Sequence, residues 1–254
     1  MFNLQLWKNS FKNTLIVWLF CIPFFSFITI ILLVSIKYNN QTISLELYKT
    51  VIKILFDQYG ILIISTFLIS GTISLITRPI EKGHLTFILS SSLSRTSIVL
   101  SRFLYFLFSI TVYVLIVFII NAVFMQINHI NDEKFNLANW SLQCFSFWLM
   151  ISAIGSLCFM FSCIFNKGVW VLIFNGAIFT IFVASDVISQ VGVTLNRDYL
   201  INFKHFTILS LIDFSKVSVK NISEFYTSFI ILTLIIGIST TISITSFVKK
   251  DLPL

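Results

Sequence analysis

Two consecutive stretches decide the fold: Leu142-Gln-Cys-Phe-Ser-Phe-Trp-Leu-Met-Ile-Ser-Ala-Ile-Gly-Ser-Leu-Cys-Phe-Met-Phe-Ser-Cys-Ile-Phe165 and Val169-Trp-Val-Leu-Ile-Phe-Asn-Gly-Ala-Ile-Phe-Thr-Ile-Phe-Val-Ala-Ser-Asp-Val-Ile188. The first holds no charged residue and the second only Asp186. Each reaches the roughly 20 residues a helix needs to cross the hydrocarbon of a bilayer. Only Asn166-Lys167-Gly168 separates them, so they are expected as antiparallel neighbours. Four more stretches of this kind lie outward: Thr14 to Ile36, Tyr59 to Thr77, Phe103 to Met125 and Tyr226 to Val248. The expected fold is an all-α polytopic membrane protein, with six transmembrane helices in one domain over residues 1–254.

The composition agrees. Hydrophobic residues make up 57% of the chain and charged ones 11%, where a soluble protein carries about 25% charge. A mean hydropathy of +0.97 requires lipid as the solvent for much of this surface. The 29 phenylalanines, beside many Ile, Asn and Lys, fit the codon bias of an AT-rich genome better than an aromatic cofactor box. The net charge of +7 borders the spans and forms no continuous patch, which argues against nucleic acid. Cys21, Cys144, Cys158 and Cys163 sit in or beside apolar runs without a CxxC pair, and read as packing residues.

The distribution of Lys and Arg sets the orientation. One side collects Lys8, Lys12, Arg78, Lys82, Arg95, Arg102, Lys167, Lys249 and Lys250 against Glu81 and Asp251. The other carries eight basic and seven acidic residues in longer segments. Because short loops and span flanks weigh most, both termini are expected in the cytoplasm of a multi-pass cell-membrane protein. The first span follows Lys8 and Lys12 but is too long for a signal h-region and lacks a small-residue cleavage site. It reads as a retained anchor.

Three segments outside the spans are informative. The first is the loop Arg78-Pro-Ile-Glu-Lys-Gly-His-Leu-Thr-Phe-Ile-Leu-Ser-Ser-Ser-Leu-Ser-Arg95. Pro79 should end the second span, because it lacks an amide donor. Leu85, Ile88 and Leu89 share one face of a short helix beneath the membrane, and Ser94 is placed to cap the helix that follows. A loop helix lying on the headgroups would show the same pattern. At the N-terminus, Leu4, Trp7 and Phe11 with Lys8 and Lys12 beside them suggest an interfacial helix, or a frayed anchor. The connection from Ser189 to Phe225 carries the apolar island Ile208-Leu-Ser-Leu-Ile212, which suggests a re-entrant or interfacial segment.

Within the spans, polar groups should face protein or a cavity. Asn175, Phe179, Phe182 and Asp186 share one helical face, as do Ser70, Ser74 and Thr77. These are candidates for a path through the membrane. Helix packing is the competing reading for the Ser/Thr stripes, and it suits Ser152/Ser156 and Ser239/Ser243/Ser246 still better.

The loop resembles the signature of the ABC-2 (type V) permease family, in Glu81, Gly83, the apolar turn Leu85-Thr-Phe-Ile-Leu89, Ser90 and Ser94-Arg95, with Arg102 further on. Leu93 stands where many members have proline. The ending Ser246-Phe-Val-Lys-Lys-Asp-Leu252 and the early Leu6-Trp7-Lys8 are similar to that family too. The resemblance implies a permease in which Glu81, Gly83, Leu85, Ile88, Leu89, Ser94 and Arg95 form a cytoplasmic coupling helix on a separate ABC ATPase dimer. ATP and Mg would be bound by that partner, since this chain has no GxxxxGK[ST] loop. It further implies a second copy or a related permease, and outward transport of amphipathic or hydrophobic cargo. Amphipathic peptides such as phenol-soluble modulin toxins belong to that cargo class; drug, lantibiotic or sodium efflux are alternatives. A membrane enzyme is disfavoured, because His84, His129 and His205 lie outside the spans and no HExxH or paired carboxylate occurs. A non-ABC channel or secondary transporter would be expected to show broken helices or several buried charges. No metal site and no catalytic residue is expected.

Overall fold

The computed structural model describes residues 7–15, 60–83, 94–127, 137–195, 197–203, 207–214 and 216–250, with isolated positions from 17 to 56. Among the described residues the chain is entirely helical, without a strand. In lipid this follows from the backbone: a helix pairs its own amides and carbonyls where no water can. Residues 7–15 form α1. Gly60–Thr72 is α2, which widens into a π-helical turn at Ile73–Thr77 and continues as α3, Arg78–Glu81. Then follow α4 (Arg95–Ile127), α5 (Leu137–Ile164), α6 (Gly168–Thr194), α7 (Asp198–Ile201) and α8 (Tyr226–Val248). Two 3-10 segments, Ile208–Leu211 and Val219–Phe225, lie before α8.

Four of the described helices are long and apolar enough to cross a membrane: α4, α5, α6 and α8 with its 3-10 lead-in. This is the architecture of a multi-pass membrane protein. The stretch expected as the second span coincides with α2 and the π turn. Much of Thr14 to Ile36 lies outside the described residues. Helices α4 and α5 begin several residues before the expected boundaries, and α6 runs six residues past Ile188. Apolarity marks the part inside lipid, whereas backbone pairing carries each helix into the interface.

Helix α5 is the centre. Seventeen of its 28 residues are buried, against four of 23 in α8. It touches α2, α4, α6 and α8, most extensively α8. Small residues make this possible: Ser146, Ser152, Ala153, Gly155, Ser156 and Ser162 are all buried. Ser146, Ser156 and Ser162 return their hydroxyls to carbonyls of their own helix, at 2.8, 2.7 and 3.1 Å. A hydroxyl so bonded is a small, satisfied surface on which another helix can lie closely. Helix α8 answers with a matching stripe, Leu232, Ser239, Ser243 and Phe247.

The tightest point is Gly155. A Cβ there would stand 2.9 Å from Cε1 of Phe106, 3.1 Å from Cδ2 of Leu68 and 3.2 Å from Cδ1 of Ile110. Gly71 of α2 borders the same Phe106 ring on another side. The ring of α4 thus fills a slot between α2 and α5.

The connection before α8 is seated on the far end of α5. Phe56, Phe147 and Phe214 cluster with ring centroids 4.7 to 6.0 Å apart. Gln143 donates from Nε2 to the carbonyls of Phe214 and Val217. The island expected as a re-entrant segment is a single 3-10 turn whose sequel, Ile212, Phe214 and Val217, is buried in this cluster. Ile208, Leu209 and Leu211 of the turn itself are partly buried against the same core.

Gly155→Ala is expected to lower the thermal midpoint in detergent, in line with an overpacking cost of about 1–3 kcal/mol. Phe106→Leu in the same chain should recover part of the loss. Equal midpoints for Gly155→Ala and the parent would refute the slot.

Candidate functional site

The expected coupling loop lies in sequence between α3 and α4. Residues 84–93 lie outside the described residues, and with them Leu85, Ile88 and Leu89. Both flanks are described. Gly83 has φ of +67°, the left-handed position that closes a helix and that a Cβ disfavours, and its amide donates to the carbonyl of Ile80. Ser94 caps α4, its hydroxyl accepting the amide of Ser97 at 3.3 Å.

Each flank is fastened to a different helix. On one side the Glu81 carboxylate accepts the amide of Gly168, the first residue of α6, at 2.6 Å. On the other, Arg95 donates from Nη1 to the carbonyls of Val248 at 3.2 Å and Lys250 at 3.0 Å, closing the end of α8. Lys250 in turn donates from Nζ to the carbonyls of Cys163 and Phe165, at 3.0 and 2.8 Å, closing α5. Burial pushes the Lys250 ammonium down to about 8, so these two carbonyls stand in for lost water. An anion thus meets a helix N-terminus and cations meet C-termini, the arrangement the helix dipole favours.

The helix expected as the second span does not stop at Pro79, as its missing amide led us to expect, but runs on to Glu81. Proline removes the donor that would reach the carbonyl four residues earlier, here Leu75, and its ring crowds that carbonyl. The helix widens to π geometry instead, with the amide of Arg78 bonding the carbonyl of Ile73. The orphaned Leu75 carbonyl accepts Nη1 of Arg102 at 2.5 Å, from a side chain only 4% exposed. Sequence reasoning marked Arg102 as an interfacial charge and missed this use. The available signal was Pro79 four residues after Leu75, with an arginine near the start of the next helix.

Helix α1 is present over the described part of the expected interfacial helix; Leu4 lies outside it. Trp7 packs on Tyr105 and Phe108, at centroid distances of 5.5 and 5.1 Å, and the Thr14 hydroxyl meets that of Tyr105 at 2.7 Å. Phe11, Lys8 and Lys12 are exposed. The inward face is therefore Trp7, Ser10 and Thr14, and Phe11 points away from it.

The path candidates fall on two helices. Ser74 and Thr77 are buried in the π turn, while Ser70 is half-buried and donates to the carbonyl of Thr66. On α6, Asn175, Phe179 and Phe182 are buried and Asp186 is half-buried. The two helices contact each other, and the Gly168 end of α6 rests against Ile73. Asn175 is 1% exposed, yet among the described residues neither its Nδ2 nor its Oδ1 has a partner, and the Thr77 hydroxyl lacks one too. An unpaired buried polar group costs about 1–3 kcal/mol. The junction of α6 with the helix expected as the second span therefore carries that cost, as does α5 at the Ser152 hydroxyl, which also has no partner among the described residues. Among the described residues no group of three or more His, Cys, Asp and Glu gathers.

Comparison with protein families, with characterised proteins and with solved structures finds no match for this chain.

Arg102→Met is expected to destabilise by stranding the Leu75 carbonyl, and Pro79→Ala by disturbing the π turn. The double variant should fall short of the summed losses, because the alanine brings back an amide that can reach Leu75. Additive thermal midpoints would sink this account. Asn175→Leu, of similar volume, is expected to raise the midpoint by removing two unpaired atoms; a lower one would show that they have partners in the membrane.

Proposed function

We propose that this chain is the transmembrane subunit of an ATP-driven exporter of the ABC-2 kind. Its loop 82–94 would dock on a separate cytoplasmic ATPase dimer, with both termini on the cytoplasmic side and six spans in all. The supporting observation is the double fastening of that loop: Glu81 holds the start of α6 and Arg95 the end of α8. A displacement of the loop would pull on two spanning helices at once.

Helix α6 is the better candidate to move. Its inner face carries the unpaired Asn175, and separation from the second span would let water reach that carboxamide. The resting junction is costly by about the amount that such hydration returns. Ser70, Ser74, Thr77, Asn175, Phe179, Phe182 and Asp186 would then border the opened path. The outer faces of α6 and α8 expose large apolar residues, among them Trp170, Phe174, Ile230 and Leu234. Lipid and a second permease, identical or related, would cover them.

The proposed cargo is amphipathic peptide. In length, composition and loop sequence the chain resembles the permease of a phenol-soluble modulin exporter. ATP and Mg would bind the partner ATPase, and this chain would hydrolyse nothing.

Glu81→Lys places a cation at the N-terminus of α6, and Ile88→Asp spoils the apolar face of the loop. Both are expected to insert normally, while losing most substrate-stimulated ATPase activity in the assembled complex. Normal stimulation in both variants would overturn the coupling role.

A further inference from the structure

A second feature lies beside the coupling loop and shares Ser74 and Lys82 with the proposed transport machinery. Where the second span ends, Ser74, Arg78, Pro79 and Lys82 face Asn13 of α1 across a cavity of about 160 Å³. That is room for roughly five waters, or for one tetrahedral anion with part of its shell. Four of its five lining residues carry hydrogen-bonding side chains. The side chains of Asn13, Ser74, Arg78 and Lys82 have no hydrogen-bond or ion-pair partner among the described residues. The nearest acid in sequence, Glu81, is engaged with Gly168. Two cations thus converge with a hydroxyl and a carboxamide, and among the described residues no carboxylate lines the cavity.

The position selects the ligand chemistry. The cavity lies at the end of the helix that the sequence marks as the second span, on the side where basic residues prevail in short segments and where that reading places lipid headgroups. Basic pockets between helices at this depth suit anionic headgroups. Guanidinium and ammonium match phosphate oxygens through paired and single donors, and Ser and Asn can complete the set. We infer that Asn13, Ser74, Arg78 and Lys82 form a binding site for a phosphate group, carried by an anionic phospholipid or free in solution. The inference shares Ser74 and Lys82 with the transport reading but does not rest on it, since Arg78 and Asn13 have no role there.

The test is thermal unfolding of the purified full chain in non-ionic detergent, with added phosphatidylglycerol, phosphatidylcholine or inorganic phosphate. Phosphatidylglycerol is expected to raise the midpoint by about 5 °C, as a bound ligand does. Phosphatidylcholine should not. R78Q/K82Q should lose the response, while R197Q/K220Q, whose exposed charges lie at the opposite end of the bundle, should keep it. If inorganic phosphate gives the same R78Q/K82Q-sensitive rise, the site takes the free ion; if only the lipid does, it takes the headgroup. N13A, which alters no charge, should weaken the response severalfold and keeps the test decisive if the double variant is itself less stable. A full response in R78Q/K82Q and N13A, or no response of the parent chain to either probe, would overturn the assignment.

Discussion

A helix in lipid can pair every backbone group except those at its ends and at prolines, and this structure is organised around that remainder. At one end of the bundle, charged side chains complete what the helices leave open. Arg102 serves the Leu75 carbonyl stranded by Pro79, Arg95 the end of α8, and Lys250 the end of α5. Glu81 accepts the first amide of α6. Water would do the same work cheaply at a solvent-exposed terminus. Near hydrocarbon each such group left open costs several kcal/mol, so the side chains that close them become structural. The same closures tie α3, α4, α5, α6 and α8 to one another, because each donor or acceptor belongs to a different segment from its partner.

Away from that end, packing separates a firm part of the bundle from a loose one. Around α5, hydroxyls bonded within their own helix and a glycine at the Phe106 slot let α2, α4 and α8 approach closely. Helix α6 has less of this. Its buried stripe includes an asparagine with both polar atoms unpaired, and most of its remaining surface is exposed and apolar. The contrast is one of burial: α5 packs on four helices while α6 keeps most of its surface exposed, and each holds buried polar atoms unpaired among the described residues, the Ser152 hydroxyl on α5 and the Asn175 carboxamide on α6.

These features bear on the proposed transport through one geometric fact. The loop from residue 82 to 94 begins beside the residue holding α6 and ends beside the residue holding α8. Glu81 was expected to face a partner; within this chain its carboxylate is committed to α6. The residue therefore transmits force in this reading, and contact with the ATPase falls to the apolar face of the loop.

The sequence by itself determined where the long helices lie, because apolar runs of spanning length leave a chain in lipid few alternatives. It also determined that α5 and α6 are antiparallel, through a connection too short for anything else, and that Ser94 caps α4. It could not show that the second span survives Pro79. Whether a proline ends a helix or only widens it depends on a donor for the stranded carbonyl, and Arg102 comes from 27 residues away. Nor could it show that Phe11 turns away from Trp7, or that the sequel of the island at Ile208 would be buried against Phe56 and Phe147. Hydropathy and spacing record what each residue prefers locally. Only the tertiary structure decides which partner is within reach, and in lipid an unpaired polar group has no solvent to fall back on.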